Sequence, residues 1–224
     1  MNEKQLKKII SDSLGKSKLS ESYVTQTKKY ELSTELLSSK AKDAHQELFE
    51  KYSDRLNNVS AELDTADRSD ANPNHSQFRS LKLDESHNIN GSYLHTLHFD
   101  NISDVNSIVM LDSLAYLRLE RDFGTFDKWQ EDFIACALSS RGGWAMTVYS
   151  LPLKRYLNVM VDGHTSGIQA STIPVICLNV AEHSYFRDYL ADRKAYVYAM
   201  MKELNWEVVE SRIKKVEKVA KIMG

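Results

Sequence analysis

The sequence predicts an α+β fold: an N-terminal helical hairpin followed by a C-terminal α/β part with a small three-stranded sheet. Three observations carry this. Apolar residues recur at steps of three and four up to about residue 140. Between residues 142 and 180 the pattern changes to short runs rich in Val, Ile, Tyr and Trp. Helical spacing then returns and holds to the end of the chain. Helices first and a small sheet with flanking helices afterwards is the order of an α+β protein.

Taken in order, Leu6, Ile9, Ile10 and Leu14 share one face of a predicted helix over 3–14. Gly15 to Ser22 is a polar break. From Leu36 to about Leu63 a long helical pattern runs through Ala44, Leu48, Tyr52, Leu56, Val59 and Leu63. The Asp-, Asn- and Pro-containing run from Asp64 to Gln77 reads as a turn-rich connector. Helices are predicted over Asn90–Asn101 and Asn106–Arg121, and a turn at Gly124 opens another that ends near Ser140. Strands are predicted at Gly142–Ser150, Tyr156–Val161 and Thr172–Val180, with Pro152, Gly163 and Gly167 punctuating their connections. Helices over Ser184–Glu203 and Trp206–Met223 complete the chain. The organisation expected is an N-terminal extension, 1–30, a helical hairpin domain, 31–104, and an α+β domain, 105–224.

With 224 residues the chain can bury a real core, as one domain or two small ones. A formal net charge of −2 gives no global electrostatic footprint for nucleic acid. No run approaches the roughly 18 apolar residues of a membrane span. Cys136 and Cys177 sit in apolar contexts without a CxxC pattern and read as buried free thiols. The Lys-rich start lacks the apolar segment of a secretion signal, so a cytoplasmic location, or one within an assembled particle, is expected. There is no GxGxxG or P-loop, no HExxH and no Gly-x-Ser-x-Gly.

KYSDRLN, HTLHFDNIS, RDFGTFDKWQEDF, RGGWAM and the stretch Ile173 to Arg212 follow one another in an order that, over roughly residues 36–215, resembles the iron/manganese superoxide dismutase family. Ile173 to Arg212 is similar to its C-terminal signature: an apolar strand, a Glu-His turn, a Tyr-rich helix, then Asn-Trp. RDFGTFDKWQEDF, RGGWAM, HTLHFDNIS and KYSDRLN resemble further family segments. The resemblance implies a small antiparallel three-stranded sheet behind a helical hairpin. It also implies one iron or manganese ion held by three histidines and an aspartate. Carried over, His95 and His183 match two of the histidines, while Asn179 stands at the aspartate and Ala181 at a tryptophan. An amide is a neutral, weaker ligand than a carboxylate. Anchoring the first helix on Tyr52, Leu56 and Asn57 puts Ala44 in the remaining ligand slot, with His45 rotated away; anchoring on the upstream Leu-Ser-Ser-Lys puts His45 there. The first anchoring is preferred.

The same resemblance places Ser140 at a glutamine that contacts the metal-bound solvent, and Tyr52 at the gateway tyrosine. It also places Leu48 and Phe186 at a polar pair that bridges two subunits. Glu182, His183, Tyr185, Phe186 and Leu48 would then form a homodimer interface. His75, His87, His98 and His164 match no ligand and are expected at the surface or in loops.

Two functional readings follow. The preferred one is a non-catalytic interaction protein with a degraded metal site and no cofactor, a component of a larger viral, organellar or ribosomal particle, attached through residues 1–30. The alternative is an active superoxide dismutase in which His45, His95, His183 and Asn179 hold iron or manganese and Tyr52 relays protons. A metal-storing or sensing module is indistinguishable from the second by sequence.

Overall fold

The computed structural model describes residue 25 and residues 27–102 and 107–223. The helix expected over 3–14 and most of the 1–30 extension lie outside the described residues. Near the end of that extension, Tyr30 is 5% exposed and packs against Phe49 and Phe99.

Two long helices form the first layer. Helix α1, Ser39–Thr65, is started by Ser38, whose side chain accepts the Ala41 N–H. Its buried stripe is Ala41, His45, Phe49, Tyr52, Leu56, Val59 and Leu63, steps of four and three throughout. Helix α2, Gln77–Asn101, is capped the same way by Ser76 and begins well before the expected Asn90. The two cross where Ser53 and Ser92 share a hydroxyl–hydroxyl hydrogen bond of 3.0 Å. Gly91 is required at this crossing, because a Cβ there would stand 2.6 Å from the Tyr52 ring.

Helices α3, Leu114–Phe123, and α4, Phe126–Ser139, are separated by Gly124 at φ +90°. α3 is shorter at its start than the expected Asn106–Arg121. The sheet follows: β1, Trp144–Ser150; β2, Arg155–Val161; β3, Thr172–Asn179. Its order is β2-β1-β3, antiparallel throughout, with an irregularity in the β1–β3 register between Thr147 and Val148. Every residue of β1 is buried, as a central strand covered on both faces requires. The α4 indole of Trp129 donates to Thr147 Oγ1 on β1 at 2.9 Å.

The single helix expected over Ser184–Glu203 is two: α5, Glu182–Tyr189, and α6, Arg193–Lys202. Leu190 at φ +52° ends the first and Asp192 caps the second. Helix α7, Trp206–Met223, closes the chain. The main core joins α3, α4, α6 and α7 to one sheet face, and a second cluster joins α2 residues Leu94 and Leu97 to the other. Cys136 is half-buried and Cys177 buried, both as free thiols. No helix among the described residues is long and apolar enough to cross a membrane.

Candidate metal centre

The C-terminal end of β3 and the first turn of α5 abut the facing stripes of α1 and α2, and four polar side chains meet there. His45 comes from α1, His95 from α2, Asn179 from the last position of β3, and His183 from α5. One nitrogen from each imidazole lies within 4.8 Å of those of the other two. Asn179 Nδ2 stands 3.3 Å from His45 Nε2, 3.3 Å from His95 Nε2 and 2.9 Å from His183 Nε2.

His45, and not Ala44, fills the first slot, which corrects the preferred anchoring. Tyr52 and His45 are seven residues apart, two helical turns, so they point within about 20° of each other; Ala44, eight residues away, is turned by about 80°. No bulge is needed. In this register Phe49, buried, occupies the stripe one turn along from His45, and Leu48 is half-buried on its flank.

The imidazoles are neutral. Burial holds His45 and His95 well below the ordinary histidine range, with the neighbouring imidazoles adding to it. Burial likewise lowers His183 to about 4. His183 is exposed on its outer edge while its Nε2 faces inward. The edge opens on a cleft of about 480 Å³ lined by Ala44, Glu182, His183, Phe186 and Arg187. The His95 tautomer is set by its own helix: Nδ1 donates to the Gly91 carbonyl at 2.6 Å, leaving the Nε2 lone pair facing inward.

The backbone of Asn179 is held on all sides. Its N–H points at His98 Nδ1 at 3.4 Å, and its carbonyl accepts from Ser184 Oγ at 3.1 Å and Tyr196 Oη at 2.8 Å. Ala181, at the tryptophan position, caps α5 and donates its N–H to Asn179 Oδ1 at 2.9 Å.

Two expectations are overturned around this centre, those for His98 and His87; His164 lies in a loop as expected but faces inward. His98 is fully buried, lowered to about 3 by burial, and supports Asn179 instead of lying at the surface. His164, after β2, turns inward: its ring lies 4.8 Å from Tyr52, 5.7 Å from Trp144 and 5.9 Å from His95, stacked on the last. Half-buried His87 closes the same cluster, 4.8 Å from His164 and 5.7 Å from Tyr52. Of the four histidines expected at the surface or in loops, His75 is exposed and His164 lies half-buried in a loop. Ser140 takes no part; its hydroxyl donates to the Val161 carbonyl and accepts the Gly143 N–H, closing the turn into β1.

Three neutral imidazole nitrogens aimed at one point fit a divalent first-row transition ion. Asn179 can add an oxygen only by turning its amide away from the Ala181 N–H.

The comparisons with known proteins agree with this fold and histidine grouping. The family model described as iron/manganese superoxide dismutases, C-terminal domain, matches residues 114–212. The chain is 33% identical over 165 residues to the manganese superoxide dismutase 2 of Halobacterium salinarum, covering 74% of this chain and 80% of that protein. It is 33% identical over 158 residues to the iron superoxide dismutase of Aquifex aeolicus, covering 70% and 73%. With that of Haloarcula hispanica, a manganese superoxide dismutase, it shares 40% over 114 residues, 51% and 78% of the two chains. The chain belongs to the iron/manganese superoxide dismutase family.

Proposed function

We propose that this chain is a metal-binding superoxide dismutase with an unusual ligand set, three imidazoles and an amide. The observation that carries the reading is the convergence of His45, His95 and His183 from three separate elements within 4.8 Å. A role as a component of a viral, organellar or ribosomal particle gains no support from three imidazoles, two of them buried, grouped around one point. In this reading His45 supplies the first ligand whose expected loss favoured that role.

His45, His95 and His183 would hold the ion. Iron or manganese supplies an electron acceptor and donor in turn, so that one superoxide is oxidised and the next reduced. The protein's part is to supply protons and to limit access. Tyr52 is 9% exposed, and burial raises its phenol above the ordinary range, so it keeps its proton at neutral pH. It sits between His95 and the His87–His164 pair, which leads toward the surface. With no carboxylate in the set, the ligands are neutral and favour the lower oxidation state of the ion. Pairing of two copies across Glu182, His183 and Phe186, with Leu48 opposite, belongs to the same reading; Phe186 is 52% exposed beside the open edge of His183, whereas Tyr185, 5% exposed and stacked on Tyr196, belongs to the chain's own core and not to that interface.

The test is elemental analysis of the purified full chain with a superoxide-decay assay, before and after incubation with Fe(II) or Mn(II). About one ion per chain and accelerated decay are expected. A chain that takes up neither ion and leaves superoxide decay at its spontaneous rate overturns the reading.

A further inference from the structure

A cleft of about 460 Å³ opens at the end of the sheet remote from the histidines. It lies between α3, the β1–β2 turn and the last turns of α7, with Tyr149 and Leu151 in its wall. β1 pairs with Asn179 through Trp144, at its other end, so roughly 17 Å of strand separates Tyr149 from the candidate metal site.

The charge of this cleft is not that of the chain. Overall there are 31 acidic and 29 basic residues, yet Arg118, Arg121, Lys154 and Lys221 line the cleft against one carboxylate, Glu217. That carboxylate is engaged by Arg118 through Nε and Nη2. Asp122, 8% exposed, holds Arg121 through the same two nitrogens. Even with Asp122 counted, cations stand four to two. Both guanidiniums are thereby fixed in place, with their Nη1 hydrogens outside these pairs. Leu151, Ala220 and Met223 add apolar surface to the wall.

A second observation points into the same place. The Tyr156 ring is fully buried against Tyr149, 5.0 Å away and edge-on. Its hydroxyl finds no hydrogen-bond partner among the described residues. Burial raises this phenol, which keeps its proton, and its nearest electrostatic neighbours are Glu217, Tyr149, Arg118 and Arg121, all in the cleft wall. A buried donor without an acceptor is costly, and the guanidiniums beside it can only donate. An anion rich in acceptor oxygens answers both the cationic excess and the orphaned hydroxyl.

We propose that this cleft binds a nucleotide-sized phosphate monoester, its phosphate among Arg118, Arg121, Lys154 and Lys221 and its organic part against Leu151, Ala220 and Met223. A dianion matches the excess of positive charge, and the arginine forks suit its oxygens. The cleft has the volume of a small-molecule site. The proposal stands whether or not the histidines hold a metal.

Calorimetric titration of the purified full chain with AMP, adenosine and inorganic phosphate tests it. AMP is expected to bind about tenfold more tightly than inorganic phosphate and less tightly as salt rises, while adenosine does not bind. Tyr156→Phe removes only the orphaned hydroxyl. It should melt at or above wild type without ligand and bind AMP about tenfold more weakly. Lys154→Ala combined with Lys221→Ala, both exposed in the wild type, should also weaken AMP about tenfold. No heat with AMP up to about 10 mM overturns the proposal. So does AMP binding that either set of substitutions leaves unchanged, which would put the phosphate elsewhere, the histidines included. A Tyr156→Phe chain that melts clearly below wild type would show the hydroxyl already satisfied, against the proposal. Adenosine or inorganic phosphate binding as tightly as AMP would remove the phosphate or the organic part from recognition, and either result overturns it.

Discussion

Tyr52 lies so tightly against Gly91 that a Cβ on the glycine would stand 2.6 Å from Tyr52 Cδ1 and 2.8 Å from Cγ. The Gly91 carbonyl is also the acceptor that fixes His95. One backbone position thus seats the aromatic ring and orients an imidazole of the candidate metal site. Gly91→Ala is expected to push Tyr52 off its rotamer and lower stability by about 1–3 kcal/mol, the usual effect of overpacking. Urea denaturation of the metal-free protein measures it. A midpoint equal to wild type would mean that the helix crossing relaxes freely.

Arg212 joins three elements behind the site. Its guanidinium donates to the carbonyls of Leu97 and Val175, to Asn101 Oδ1 and to Asp100 Oδ2, at 3.0 to 3.2 Å, with its side chain 12% exposed. Asn101 Oδ1 in turn holds the Cys177 N–H, two residues before Asn179. Arg212→Met keeps most of the apolar stem but leaves these acceptors without the guanidinium. A loss of about 2–4 kcal/mol is expected, since removal of one partner of a buried charged pair is severe and Asp100 keeps partial contact with water. Chemical denaturation checks it; a loss under about 0.5 kcal/mol would remove Arg212 from the list of anchors.

Fold and site were legible in the sequence to different degrees. The strands, α7 and the hairpin were readable because period and punctuation changed where the structure changes. The α1 register was not. Stepping back from Tyr52 by four and four gives Leu48 and Ala44; the structure steps by three and four, to Phe49 and His45. Both steps lie within one helical face, and single residues cannot choose between them. The break between α5 and α6 falls at Leu190, which has positive φ without being glycine, so no residue type announced it. His164 had no signal: a lone histidine in a loop is placed by how the connection between β2 and β3 folds back, not by local pattern. Asn179 could be read as the exceptional residue, but its amide orientation depends on the Ala181 N–H, a backbone group invisible to side-chain patterns.

Acid should destabilise the metal-free protein at an unusually high pH. His98 is held at about 3, and His164 and His183 at about 4, in each case chiefly by burial, with His45 and His95 well below the ordinary range. The unfolded chain takes up these protons near pH 6.5. Between there and about pH 4 the unfolded state binds more protons than the folded one, so stability rises with pH in this window and is lost as pH falls through it. The melting temperature is expected to drop already between pH 6.5 and 5, before most carboxylates titrate. His98→Asn should show a shallower slope. A melting temperature flat over that interval would show that these rings are not held neutral by the fold.

Tyr52 offers the sharpest kinetic prediction. Its ring packs on Gly91, His95 and His164, and its phenol keeps its proton through the neutral range. Tyr52→Phe preserves the packing and removes only the hydroxyl, so stability should change by less than about 1 kcal/mol. If the phenol donates a proton to reduced superoxide, the protonation half of the cycle slows and the oxidation half does not. Turnover at saturating superoxide should then fall about ten- to hundredfold, within the range of general acid catalysis, while kcat/KM falls less. Stopped-flow superoxide decay across pH 7–10 separates these quantities; with the phenol raised above its ordinary range, wild-type turnover should hold over most of that interval and the variant should stay below it throughout. Unchanged turnover with an unchanged pH profile would leave His164, stacked on His95 and 4.8 Å from His87, as the proton source to test next.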